Sequence, residues 1–108
     1  MYITTNRIPV SKGFEAQFEE RFTGRPSHMP GVPGFIRNYL LRPADDGRVY
    51  MVMTLWESKE VFEAWTQSES FIKSHSAPRA PQGMYAGDIA LEAFEVAQTI
   101  EQSASQSS

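Results

Sequence analysis

The chain has 108 residues, 41% of them hydrophobic and 12% aromatic, enough for one domain with a core of its own. Lys and Arg number 10 against 13 Asp and Glu, a net charge of −3 with no basic run, which argues against nucleic acid as a partner. There is no cysteine, which excludes disulfides, thiolate metal ligands and a cysteine nucleophile and suits a reducing cytoplasm; no apolar stretch approaches the ~18 residues that span a bilayer.

The opening "MYITTNRIPV" lacks the basic and apolar regions of a signal peptide, so the expected setting is the cytoplasm, with no membrane partner. Its alternation and β-branched residues predict a first strand, with Tyr2, Thr4, Asn6 and Ile8 on one face and Ile3, Thr5 and Arg7 on the other. "SKGFEAQFEERFTGR" places Phe14, Phe18 and Phe22 at four-residue steps, which predicts an amphipathic helix capped by Ser11 and stopped by Gly24. A Pro/Gly-rich connector, "PSHMPGVPG", leads to a strand "FIRNYLLRP", with Phe35, Tyr39 and Leu41 in one phase and Ile36 and Leu40 in the other. "ADDG", with Asp45 and Asp46, reads as a hairpin turn into "RVYMVMTLW", which is apolar on both faces and therefore central in a sheet.

"ESKEVFEAWTQSESFIKSH" returns to helical spacing, with Val61, Phe62, Trp65 and Ile72 as core candidates. A second Pro/Gly-rich loop follows, then a last strand "IALEAFEV". The order β-α-β-β-α-β predicts an α+β, ferredoxin-like domain over residues 1–96, with a four-stranded antiparallel sheet and both helices on one face. The other face, still apolar, calls for a cover, and a second copy of the same sheet supplies one in a dimeric α+β barrel. Residues 97–108 form a polar, low-complexity tail, expected to be disordered.

Three residues stand out for chemistry. Taken as one helix, Trp65 and His75 lie roughly 80° apart around it and about 15 Å apart along it. Spacing alone favours core packing for Trp65 and a favourable charge at the negative helix end for His75; the alternative is one wall of a ligand site. His28, in the proline-rich connector, reads as a surface residue. Asn6 sits in a strand, where Asn is disfavoured, and on an inward face its amide needs either a loop backbone or a ligand. The dinucleotide, phosphate-loop, serine-hydrolase and zinc-protease motifs are missing, so hydrolysis and phosphoryl transfer lack machinery.

Asn6 within "TNRIPV", "FEERF" in the first helix, "PGF" opening the second strand, and the Trp and "SH" of the second helix together resemble the haem-degrading monooxygenases. These are the IsdG-type haem oxygenases of the antibiotic-biosynthesis-monooxygenase superfamily, and the resemblance spans roughly residues 1–96. It implies a catalytic trio of Asn6, Trp65 and His75. His75 would be the axial ligand of haem iron, Asn6 would donate from the distal side towards dioxygen, and Trp65 would press the porphyrin out of plane. Haem would be both cofactor and substrate, opened with O2 to a linear tetrapyrrole with release of iron. Phe22, Phe71 and Ile72 would complete an apolar pocket, with Arg7, Arg25, Lys73 and Arg79 as candidates for the propionates. No flavin or nicotinamide motif is present, so electrons would come from a separate reductase or a small reductant. Two alternatives stand beside this: a haem carrier with little turnover, and a cofactor-independent monooxygenase of small aromatic substrates.

Overall fold

A computed structural model describes residues 1–24, 29–45, 49–69 and 81–102. The elements follow the expected order: β1 (Tyr2–Pro9), α1 (Glu15–Thr23), β2 (Phe35–Leu41), β3 (Val49–Trp56), α2 (Lys59–Thr66) and β4 (Ala90–Glu95). The strands form one antiparallel sheet in the order β2-β3-β1-β4. The two central strands are β3, apolar on both faces as its position demands, and β1.

Cross-strand register sorts the side chains into two faces. On the helix side, Tyr50, Val52, Thr54 and Trp56 of β3 are buried and pair with Ile8, Asn6, Thr4 and Tyr2 of β1. On the open side lie Met51, Met53 and Leu55, opposite Arg7, Thr5 and Ile3. The predicted phases of β1 are therefore the observed ones. Those of β2 are not. A bulge between Phe35 and Arg37 breaks the two-residue period, so Phe35 packs its ring on Trp56 on the helix side while Tyr39 and Leu41 pair with Met53 and Met51 on the open side.

The core has two parts. Under α1, Phe18 is buried with Ile8, Val10, Tyr50, Val52 and Met84, and Phe14 and Phe22 pack against this group. Burial of Phe18 stabilises the fold by about 1.5–3 kcal/mol. Under α2, Trp56 takes Phe62, Trp65 and Phe35 around its ring, and Phe62 also reaches Tyr2. Between the two runs a polar row across the sheet. Asn38 Nδ2 donates to Thr54 Oγ1 at 2.8 Å, and Trp56 Nε1 donates to Thr4 Oγ1 at 3.1 Å.

One end of each helix differs from expectation. Phe14, not Ser11, occupies the cap position of α1, and Gly13 N–H finds its acceptor in Glu15 Oε1 at 2.8 Å. Ser11 is held elsewhere, donating its N–H to Met84 O and accepting from Phe14 N–H. Gly24 does end α1, but in right-handed backbone (φ −82°) with its N–H on Glu20 O. Ser58 caps α2 through Val61 N–H. α2 stops at Thr66, where Thr66 and Ser68 hydroxyls turn back onto Glu63 O and Trp65 O, so Trp65 and His75 do not share α2 as one unbroken helix.

Candidate haem-binding site

Asn6 and Trp65 are brought to the same side of the sheet by different devices. Strand alternation turns the Asn6 side chain to the helix side, in a row with Leu40, Val52 and Leu91. Its amide makes no hydrogen bond among the described residues. Leu91, beside it on β4, is 59% exposed, so this apolar floor is open above the β1–β4 edge. A polar donor in an apolar, uncovered floor is what a flat apolar ligand with one hydrogen-bond acceptor would fit.

Trp65 is held by aromatic packing. Its ring lies 5.2 Å from Trp56 and 6.2 Å from Phe62, centroid to centroid, and it is half-buried. It walls a cleft of about 380 Å³ between α2 and residues 30–33, together with Val61, Ala64, Val32 and Pro33. Asn6 pairs with Val52, four residues along β3 from the Trp56 on which Trp65 rests. At ~3.3 Å per residue the backbone positions of Val52 and Trp56 are about 13 Å apart along β3, a span comparable to a porphyrin's width.

Phe22 lies on the last turn of α1, 6.0 Å from Phe18 and on the same side of the sheet. Arg7, by contrast, pairs with Met51 and Ala90 on the open face, because it follows Asn6 directly in the strand. It therefore cannot serve a ligand lying over Asn6. His75, Phe71, Ile72, His28, Arg25, Lys73 and Arg79 fall outside the described residues. Among those described, no group of three His, Cys, Asp or Glu side chains gathers to hold a metal ion unaided, and no helix is long and apolar enough to cross a membrane.

Residues 84–86 are tied to the core and to the end of β1. Met84, 1% exposed, plugs the core under α1. Val10 bridges Tyr85, and Ala86 N–H donates to Pro9 O at 3.0 Å. The described residues that follow the Pro/Gly-rich loop are thus anchored to the end of β1.

Residues 1–77 match the antibiotic biosynthesis monooxygenase family. The chain belongs to that family. Within it, a Mycobacterium tuberculosis protein named "Heme oxygenase (mycobilin-producing)" is 37% identical over 78 residues, 72% of this chain and 73% of the relative. A Staphylococcus haemolyticus "Heme oxygenase (staphylobilin-producing)" is 35% identical over 77 residues, covering 69% and 73%. Among solved structures, the heme-degrader MhuD from Mycobacterium tuberculosis, with two hemes bound in its active site, aligns at a TM-score of 0.76 and 34% identity over 94% of this chain and 100% of the other. SnoaB, a cofactor-independent oxygenase from Streptomyces nogalater, shares the fold at a TM-score of 0.67 and 24% identity over 94% and 97%. The ferredoxin-like α+β fold and the resemblance to the haem-degrading members of this monooxygenase family, both read from the sequence, are borne out.

One cluster lies away from this site and was not anticipated. Arg42 binds Glu19 through two hydrogen bonds, of 2.7 and 2.6 Å, and Tyr50 OH donates to the same carboxylate at 2.5 Å. Hydrogen bonds from Arg42 and then Tyr50 hold the Glu19 carboxyl at about 2, and the same contact raises the already high Arg42. Burial, with the hydrogen bond to Glu19 second, pushes Tyr50 up to about 12. The cluster ties α1 to the β2–β3 end of the sheet.

Proposed function

We propose that the protein is a haem-degrading monooxygenase that opens the porphyrin to a linear tetrapyrrole with O2 and electrons and releases the iron. The observation that carries this reading is Asn6: a hydrogen-bonding amide set in an open apolar floor, on the side of the sheet where α2 presents Trp65. The names of the relatives point to the same substrate.

Haem, as substrate and cofactor together, supplies the oxygen chemistry at its iron. The chain supplies position. His75 would hold the haem iron through a neutral imidazole nitrogen. Asn6 Nδ2 would donate a hydrogen bond to a haem-bound oxygen species and steady the negative charge that develops on it. Trp65, backed by Trp56 and Phe62, would set its indole against the porphyrin and strain it. Phe22, Phe71 and Ile72 would exclude water from the apolar faces. A separate reductase or small reductant in the cytoplasm delivers the electrons.

The working unit is a homodimer with one haem per subunit. The open sheet face carries Phe94 (51% exposed), Tyr39 (39%) and Leu41 (37%), and a second copy covers it. At its centre Thr5 is 5% exposed, and its Oγ1 has no hydrogen-bond partner among the described residues.

The test is a haem titration. The Soret band is kept in His28→Ala and lost in His75→Ala. Equal binding by both variants overturns the ligand assignment.

A further inference from the structure

Gly34 closes the turn before β2 at φ +80°, and a Cβ placed there would lie 2.6 Å from Cβ, Cγ1 and Cγ2 of Val61. Carbon atoms rest at about 3.5–4.0 Å, so Val61 occupies space that only a glycine leaves. The backbone is pinned at the same place, because Gly34 O accepts from Glu57 N–H at 2.9 Å, directly before the Ser58 cap of α2. Val61 and Trp65 are four residues apart in α2, hence neighbours on one face, and they line the same cleft. The helix is short and stiff, so its height over the sheet at Val61 is carried one turn on to the indole.

We propose that Gly34 is a positioning residue for the site: its missing side chain lets Val61 bring α2 down onto the start of β2, and this fixes the height and tilt of Trp65 against Trp56. What Trp65 then does to a porphyrin rests on the function proposed above. The placing of the indole does not.

The chain has two Trp residues, and they are in contact, so coupling between them gives a near-ultraviolet circular dichroism band that reports their geometry in the ligand-free protein. Gly13→Ala is the matched control, since Gly13 also has positive φ (+94°) but nothing within 4 Å of an added Cβ. Gly13→Ala lowers the melting temperature and keeps the band. Gly34→Ala loses at least half of it. Val61→Ala, which adds no clash and decides the matter should Gly34→Ala not fold, weakens the band as well. A wild-type band in Val61→Ala, or in a folded Gly34→Ala, overturns the proposal. In haem turnover, Val61→Ala lowers kcat at least fivefold with the half-saturating haem concentration within twofold; an unchanged kcat overturns the link to the site. A wild-type chain that binds no haem sinks the functional reading alone, and the band still tests Gly34.

Discussion

The rings of Trp56 and Trp65 lie 5.2 Å apart at an interplanar angle of 42°, and through this contact the sheet buttresses the wall of the site. Trp56 is itself fixed, 1% exposed and hydrogen-bonded through Nε1 to Thr4 Oγ1. Trp65 is thereby held against a buried, hydrogen-bonded partner, which is what the distorting role proposed for it requires.

Trp65→Phe keeps an apolar ring on Trp56 but shortens the wall. It costs about 1 kcal/mol of stability, measured by urea unfolding. Haem turnover falls at least tenfold while haem binding changes little. Equal loss of binding and turnover would make Trp65 a plain contact.

Asn6→Ala removes a half-buried amide that bonds to nothing in the described structure, so the melting temperature moves by only a few degrees. The Soret band of bound haem persists. Turnover slows by roughly 10²-fold, the scale for losing one preorganised donor. Unchanged turnover removes Asn6 from the mechanism.

Thr4→Val is nearly isosteric but leaves the buried Trp56 Nε1 without its acceptor. The expected loss is about 1–3 kcal/mol in urea unfolding, larger than for an exposed Thr→Val change such as Thr23→Val. Equal losses would mean that the Trp56 hydrogen bond does not support the wall.

Acid should weaken the fold through Glu19. Its carboxyl titrates at about 2 when folded against an ordinary 4.5. The folded state thus favours the charged form, and the stability it adds is present above about pH 4.5 and lost as pH falls towards 2. Tyr50 is the opposite case: raised to about 12 from 10, it favours the neutral form, and its contribution is lost as pH rises from 10 to 12. Melting temperature against pH for wild type and Glu19→Gln checks the acid limb. The gap between them narrows below pH 4.5, and a gap that does not change with pH contradicts it.

The chain order of the elements and the two phases of β1 were legible because period-two alternation survives wherever one face is buried. So was the Phe14, Phe18, Phe22 stripe. Three features were not. The bulge at Phe35 is set by the Trp56 ring against which Phe35 must pack, a contact 21 residues away in sequence. The end of α2 at Thr66 is set by side-chain hydroxyls that compete for carbonyls within a run whose spacing still looks helical. The row of Asn38, Thr54 and Thr4 carries no local signal, since each polar residue is satisfied across strands. For the site, spacing alone favoured ordinary packing. It was Asn6 inside a strand that spoke for a ligand, and the register places its side chain on the side of the sheet that carries α2.

The most direct test is aerobic turnover of the haem-loaded chain with a reductant, in the presence of catalase, followed by mass spectrometry of the products. Loss of the Soret band with iron release and a ring-opened tetrapyrrole is the expected result, abolished in His75→Ala. Haem that stays intact and bound, or bleaching that catalase suppresses, contradicts it.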